Sequence, residues 1–145
     1  MKKIFLGPPG SGKGTYSSRI SSFWKIPHIS TGDLFRAHLK NQTEIGKQIK
    51  EFMNSGNLVP DTITIEMLKN RISQNDCKKG FILDGFPRTI PQAEELAKIT
   101  DIDVVINLNL SNEILIKKAC ARRVCQDCGD IYSTIEINQG EIKMP

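Results

Sequence analysis

The sequence lacks a long hydrophobic run. Met1-Lys2-Lys3 begins like a signal peptide, but Ile4-Phe5-Leu6 stops at Gly7-Pro8-Pro9, well short of the apolar region such a peptide requires. No membrane partner is therefore expected, and a cytoplasmic location is. Cysteine is sparse, with Cys77, Cys120, Cys125 and Cys128 unevenly spaced, so the disulfide framework of a small secreted domain is excluded. Reduced thiols or metal ligands remain. There is no Lys/Arg run either: 20 basic and 16 acidic residues are interspersed, and a net charge of +4 in that pattern argues against nucleic acid. It suits a small anionic ligand held by a few cations. Internal repeats and low-complexity segments are absent.

What is there suffices for one globular domain. In a chain of 145 residues, 39% of them hydrophobic, folding can bury about 68–70% of the surface the unfolded form exposes. Lys2 to Leu6 reads as a buried strand, stopped by a Gly- and Pro-rich loop and followed by a helix over Thr15 to Lys25. Pro27 to Ser30 is a second extended piece. It leads into a helix carrying Leu34, Phe35, Ala37 and Leu39, on which Thr31 is the expected N-cap. Ile45, Ile49, Phe52 and Met53 recur at helical spacing. Pro60-Asp61 then starts a helix through Ser73 with Ile65, Leu68 and Ile72 on one face, and Gly80 ends that stretch.

Phe81 to Leu83, ending in Asp84-Gly85, and Val104 to Leu108 are further apolar runs, of the kind found in strands buried on both faces of a parallel sheet. Strands alternating with helices predict an α/β doubly wound parallel sheet, with helices on both faces and a ligand site at the carboxyl ends of the strands. Ser111 to Ala121 reads as helix. Beyond it, Cys125-Gln126-Asp127-Cys128-Gly129, Tyr132, Thr134, Ile137, a turn at Gln139-Gly140 and Ile142 predict a partial β-rich tail.

Gly7-Pro8-Pro9-Gly10-Ser11-Gly12-Lys13-Gly14-Thr15 fits the GxxxxGK phosphate-binding loop, with Gly14 where the general pattern has Ser or Thr. Glycines let backbone N–H groups turn inward around phosphate oxygens, the lysine adds charge, and the following helix presents its positive end. Asp84, at the end of an apolar run, is placed like the acidic residue beside Mg²⁺ in phosphoryl-transfer enzymes; the alternative is a turn cap.

Three stretches together, the loop Gly7 to Thr15, Ser30-Thr31-Gly32-Asp33, and Gly80-Phe81-Ile82-Leu83-Asp84-Gly85-Phe86-Pro87-Arg88-Thr89, resemble the adenylate kinases. The resemblance covers essentially the whole chain, and Arg122-Arg123-Val124-Cys125 is similar to the entry of that family's lid. It implies reversible phosphoryl transfer from ATP to AMP giving two ADP, with Mg²⁺ accompanying ATP. It places Gly10, Ser11, Gly12, Lys13, Gly14, Thr15, Arg122, Ile131 and Tyr132 on ATP, and Thr31, Arg36, Asn57, Leu58, Val59, Gly85, Phe86, Pro87, Arg88 and Gln92 around AMP. Lys13, Arg36, Asp84, Arg88 and Arg122 would be catalytic. The implied organisation is a core at 1–30 and 61–121, a helical AMP-binding insertion at 31–60 and a partial lid at 122–145.

Bland readings stand beside these. Thr31 can serve only as a cap, Thr89 with Gln92 fits the TxxQ capping box, and Arg36 and Arg88 can be solvated charges. Phe35 and Met53 read as packing. Lys118 departs from the family's usual arginine, and lysine lacks the planar stacking surface, so weaker adenine binding is expected. Cys125 and Cys128 form half of a structural zinc site, the resemblance implying a second ligand pair further on; a redox pair or a simple turn is the alternative. The resemblance also implies that the family's C-terminal part is missing, which leaves a catalytically weak nucleotide-binding fragment as one further reading. A kinase for another nucleoside monophosphate is the other. A monomer is expected of a complete chain.

Overall fold

The structure is a computed structural model that describes residues 1–55, 59–128, 131–134, 137–139 and 142–144. The chain divides into two compact units, one formed by Met1–Leu6 and Lys13–Asn107, the other by Gly7–Gly12 and Leu108–Pro145.

The first unit is built on four parallel strands, β1 (Lys2–Leu6), β2 (His28–Ser30), β3 (Phe81–Asp84) and β4 (Val104–Asn107), in the spatial order β2-β3-β1-β4. Five helices connect or flank them: α1 (Lys13–Trp24), α2 (Thr31–Lys40), α3 (Glu44–Asn54), α4 (Asp61–Ile72) and α5 (Ile90–Ile99). Alternation along β1 sends its side chains to two layers. Ile4 joins a core with Leu68 of α4, Leu96 of α5, Phe81, Leu83 and Phe86, whereas Lys3 lies under Trp24 at the end of α1. Helices therefore cover both faces, as the alternating pattern predicts. Phe81, Ile82 and Leu83 are each no more than 1% exposed, and burying a side chain of this size contributes about 1.5–3 kcal/mol.

Two expectations need correction. Thr31 is not the N-cap of α2 but its first residue; the cap is Ser30, whose hydroxyl accepts the Asp33 N–H at 3.3 Å. An N-cap needs extended backbone, and Ser30, as the last residue of β2, already has it (φ −96°, ψ 122°). Nor is β4 buried on both faces: it is an edge strand, with Val104 39% and Val105 55% exposed. Its apolar run fits it to pair with β1 but says nothing about what covers it.

After α4, a single 3₁₀ turn (Asn75–Cys77) is held by Arg71, which donates to both carboxylate oxygens of Asp76 at 3.0 and 2.7 Å. That bidentate pair holds the Asp76 carboxyl below its ordinary range, while burial pushes the neighbouring Cys77 thiol up.

The second unit contains α6 (Asn112–Ala121), capped by the Ser111 hydroxyl, and two antiparallel pairs. These are β5 (Arg122–Val124) with β6 (Ile131–Ser133), and β7 (Ile137–Gln139) with β8 (Ile142–Met144). The Thr134 N–H and hydroxyl both donate to the Ala121 carbonyl, at 3.0 and 3.2 Å, and tie β6 to the end of α6. The predicted turn residue Gly140 lies outside the described residues.

Candidate phosphate and nucleotide site

Parallel pairing brings the carboxyl ends of the strands in the first unit to one edge. Ser30 of β2 and Phe5 of β1 both stand in register with Asp84 of β3. Thr31 follows directly on one side, and Gly85 to Arg88 on the other, so residues far apart in sequence meet there.

Asp84 is the acidic centre of this edge. Its side chain is 12% exposed, and Oδ2 lies 3.2 Å from His28 Nε2. A Cβ on Gly14 would stand 3.5 Å from the same oxygen, so bare helix backbone adjoins the carboxylate. Lys13 opens α1 nearby. Partial burial lowers the pKa of its ammonium; the charge of Asp84 raises it and that of Arg88 lowers it further. A phosphate would reverse the main cause of that depression, since an anion supplies what lost hydration took away. The carboxylate is also of the kind that holds a hydrated divalent cation such as Mg²⁺, being acidic and mostly sheltered.

Gly85 joins the two sides. Its carbonyl accepts from the Thr31 hydroxyl at 3.1 Å and from Arg88 Nε at 2.7 Å. At φ +79°, a Cβ here would come 2.9 Å from Thr31 Oγ1 and 3.0 Å from Arg88 Nη2, so only glycine fits. Arg88 is exposed, and its N–H donates to Gln92 Oε1 at 2.7 Å. The Gln92 amide donates in turn to Asp61 Oδ1 at 2.5 Å, and Thr89 Oγ1 donates to Asp61 Oδ2 at 3.1 Å. Gln92 N–H donates to Thr89 Oγ1 at 3.3 Å, as the capping reading expects, although the Gln92 side chain reaches Arg88 rather than the cap residue. Gln92 is thus 6% exposed and engaged at both ends of its amide.

Arg36 projects from α2, 72% exposed and paired with Asp33. Exposed pairs are worth about 0–1 kcal/mol, so a phosphate can take Arg36 from Asp33 at little cost. Phe86 is 1% exposed in the core and offers a ligand only its backbone; Pro87 and Val59 are half-buried. Asn57 and Leu58 lie outside the described residues.

In the second unit, the loop Gly7–Gly12 turns with Ser11 N–H donating to the Pro8 carbonyl at 3.2 Å. Gly12 takes φ +96°, a conformation L side chains rarely adopt. The Ser11 hydroxyl is buried and has no hydrogen-bond partner among the described residues. A buried unsatisfied donor costs about 1–3 kcal/mol, a cost that a phosphate oxygen would remove. Arg122 stands exposed on β5 opposite Ser133, and Tyr132 is 58% exposed on β6; the Ile131 side chain is outside the described residues.

Cys125 and Cys128 sit at a turn. The N–H groups of Cys128 and Asp127, together with the Cys128 thiol, draw the Cys125 pKa down and favour its thiolate. Among the described residues, no third His, Cys, Asp or Glu joins them in a group able to hold a metal. The donors described are half of a tetrahedral zinc site and do not complete one. All four cysteines are free. No helix of the described residues is long and apolar enough to cross a membrane.

Two side chains at this edge were given no place in the site by the sequence reading: His28, and Asp61, which was read only as a helix start. His28 could have been found, because it lies two positions before Ser30, on the strand face that period-two alternation shares with it. Asp61 could not, since nothing in sequence ties it to Thr89 and Gln92.

Comparison with known proteins places this geometry. The chain is 55% identical over 132 residues to an adenylate kinase of Treponema denticola, covering 91% of this chain and 63% of that protein. It is 51% identical over 140 residues to one from Lachnoclostridium phytofermentans, covering 93% and 64%, and 48% identical over 140 residues to one from Listeria monocytogenes, covering 93% and 65%. The chain spans just under two thirds of the length of these relatives. Since residues 5–139 also match the adenylate kinase family as a whole, the chain belongs to the adenylate kinase family.

Proposed function

We propose that the protein carries out reversible phosphoryl transfer from ATP to AMP, giving two ADP. The observation that carries this reading is the convergence of Lys13, Asp84, Thr31, Gly85 and Arg88 at one sheet edge in the first unit. Family membership supports it.

In this reading Gly10, Ser11, Gly12, Lys13, Gly14 and Thr15 hold ATP phosphates through backbone N–H groups, the Ser11 hydroxyl and the lysine charge. Arg122 and the Ile131-Tyr132 segment add contacts on the ATP side. Arg36 and Arg88 hold the AMP phosphate, Arg88 being set by Gly85 and Gln92, while Thr31, Asn57, Leu58, Val59, Phe86 and Pro87 surround the nucleoside. Asp84, 3.2 Å from His28, would hold the water shell of the Mg²⁺ that accompanies ATP, an ion that would supply neutralisation of phosphate charge. Transfer is direct and in line, without a phosphoenzyme or general base, so positioning and charge neutralisation do most of the catalysis. The corresponding organisation is a core at 1–30 and 61–121, an AMP-binding segment at 31–60 that closes over AMP, and a lid segment from 122 that closes over ATP and excludes water. Cys125 and Cys128 would be two ligands of a structural zinc. A cytoplasmic monomer fits this assignment.

The test is to supply the chain with ADP and Mg²⁺ and follow products by phosphorus NMR, with Lys13→Ala alongside. Equimolar ATP and AMP, abolished in Lys13→Ala, are expected. Nucleotide binding by folded protein without transfer would overturn the reading in favour of a binding chain. Turnover with CMP or UMP equal to that with AMP would move the acceptor assignment to another nucleoside monophosphate.

A further inference from the structure

β1 is one of the two inner strands of the sheet, yet it carries a lysine at an interior position. Lys3 is 3% exposed, in register between Ile82 of β3 and Val104 of β4. Its ammonium lies 3.7 Å from the centroid of the Trp24 ring. No hydrogen bond or ion pair reaches Lys3 Nζ among the described residues. The carboxylate that acts on it, Asp103, already accepts the Lys2 N–H at 2.5 Å. Burial disfavours the charged form of this ammonium, and the pull of Asp103 and the indole face offset that only in part. An unpaired cation at a site that could hold an apolar residue is thus a destabilising choice for folding alone.

The same lysine lines a cavity of about 540 Å³ at the amino-terminal edge of the sheet, together with Met1, Trp24, Lys25, Ile26 and Lys79. That volume lies within the range of small-molecule sites, about 300–1,000 Å³. The walls are fixed. Lys25 takes φ 54° just after α1, and the turn there is closed by Ile26 N–H to the Ser21 carbonyl at 3.2 Å and by the Ser21 hydroxyl to the Ile26 carbonyl at 2.6 Å. Met1 is tied to the Lys79 carbonyl at 2.8 Å. Three lysines converge on a space whose other walls are an indole, an isoleucine and a methionine, and among the described residues no carboxylate lines it.

We propose that this cavity binds a small anion carrying a flat apolar body, the anionic head meeting Lys3 and Lys79 and the body resting against Trp24, Ile26 and Met1. The site lies at the end of the strands opposite to Asp84 and does not depend on the nucleotide assignment. A phosphate ester and a carboxylate offer the shared chemistry.

Trp24 is the only tryptophan in the sequence, so its fluorescence reports on the site directly. The intact chain is titrated with phenyl phosphate, benzoate and neutral benzyl alcohol, with calorimetry alongside. Saturable binding of at least one ring anion is expected, about tenfold or more tighter than benzyl alcohol, and the tighter head group identifies the ligand class. Lys3→Met, which keeps the volume and removes the charge, weakens it by about tenfold or more. Lys79→Glu, an exposed position whose substitution leaves the core intact, does the same. Lys13→Ala leaves it unchanged. The proposal is overturned if neither anion saturates by roughly 10 mM, if either Lys3→Met or Lys79→Glu binds normally, or if Lys13→Ala abolishes the signal, which would place the probe on the phosphate loop.

Discussion

β3 and β4 look alike in sequence, Phe81-Ile82-Leu83-Asp84 and Val104-Val105-Ile106-Asn107, and both pair in parallel with β1. Their surroundings differ. β3 is enclosed by β1 and β2 at its sides and lies between helices, whereas β4 has no second pairing strand among the described residues and Val105 is more than half exposed. A short apolar run of β-branched and aromatic residues thus specifies a strand suited to the sheet, while its burial is decided by what else packs on it. The chemistry follows the enclosed strand. Asp84 ends β3 amid His28, Gly14 and Lys13, whereas the last residue of β4, Asn107, stands one register position further on, opposite Leu6, and carries no charge.

Three experiments sharpen this comparison. The largest contrast is expected at the strand ends: Asp84→Asn lowers transfer by roughly 10²–10³-fold, the scale of losing one preorganised electrostatic group. Asn107→Ala changes it less than about threefold, and steady-state kinetics with ADP and Mg²⁺ read both. Equal effects would show that the enclosed strand has no special role. Next come the strand bodies. Leu83→Ala is expected to cost about 2–5 kcal/mol in denaturant unfolding, the range for deleting a fully buried leucine, against less than about 1 kcal/mol for Val105→Ala. Similar losses would mean that β4 is covered in solution, by association along its open edge for example.

The smallest effect concerns Lys3, which stands between the two strands. Burial lowers its pKa from 10.5, with Asp103 acting in the opposite sense. The folded state therefore binds fewer protons than the unfolded state as pH approaches 10.5, and stability rises with pH in that window. Below the lowered value the ammonium is charged in both states and its full burial penalty remains. Lys3→Met is accordingly expected to be more stable than the wild type at neutral pH, by a margin that shrinks as pH climbs toward 10.5. Thermal unfolding across pH 7 to 10.5 reads it, and a margin independent of pH would remove desolvation as the cause.

Much of this architecture was legible in the order of residues. Gly-rich punctuation and apolar runs located the four strands of the sheet, and Pro60-Asp61 and Ser111 marked helix starts, because caps and periodicity are local properties. The loop lysine was legible from the glycines spaced around it, and Asp84 because it ends an apolar run. What escaped is non-local. His28 matters through register with β3, Asp61 through two residues of another helix, and Lys3 through a tryptophan at the far end of α1. Ser30 displaced Thr31 as the cap because the boundary between an extended residue and a helical one is a matter of backbone angle, which two adjacent hydroxyl residues do not reveal.

The Asp61 carboxylate, described above as a partner of Thr89 and Gln92, has a mechanical meaning as well. Its two oxygens lash the first turn of α4 to the first turn of α5, and Gln92 passes that restraint to the Arg88 main chain. The stiffness of Arg88 is therefore inherited from a helix it does not touch in sequence. Loosening that joint would leave Lys13, Asp84 and Arg36 in place and still blunt the aim of Arg88.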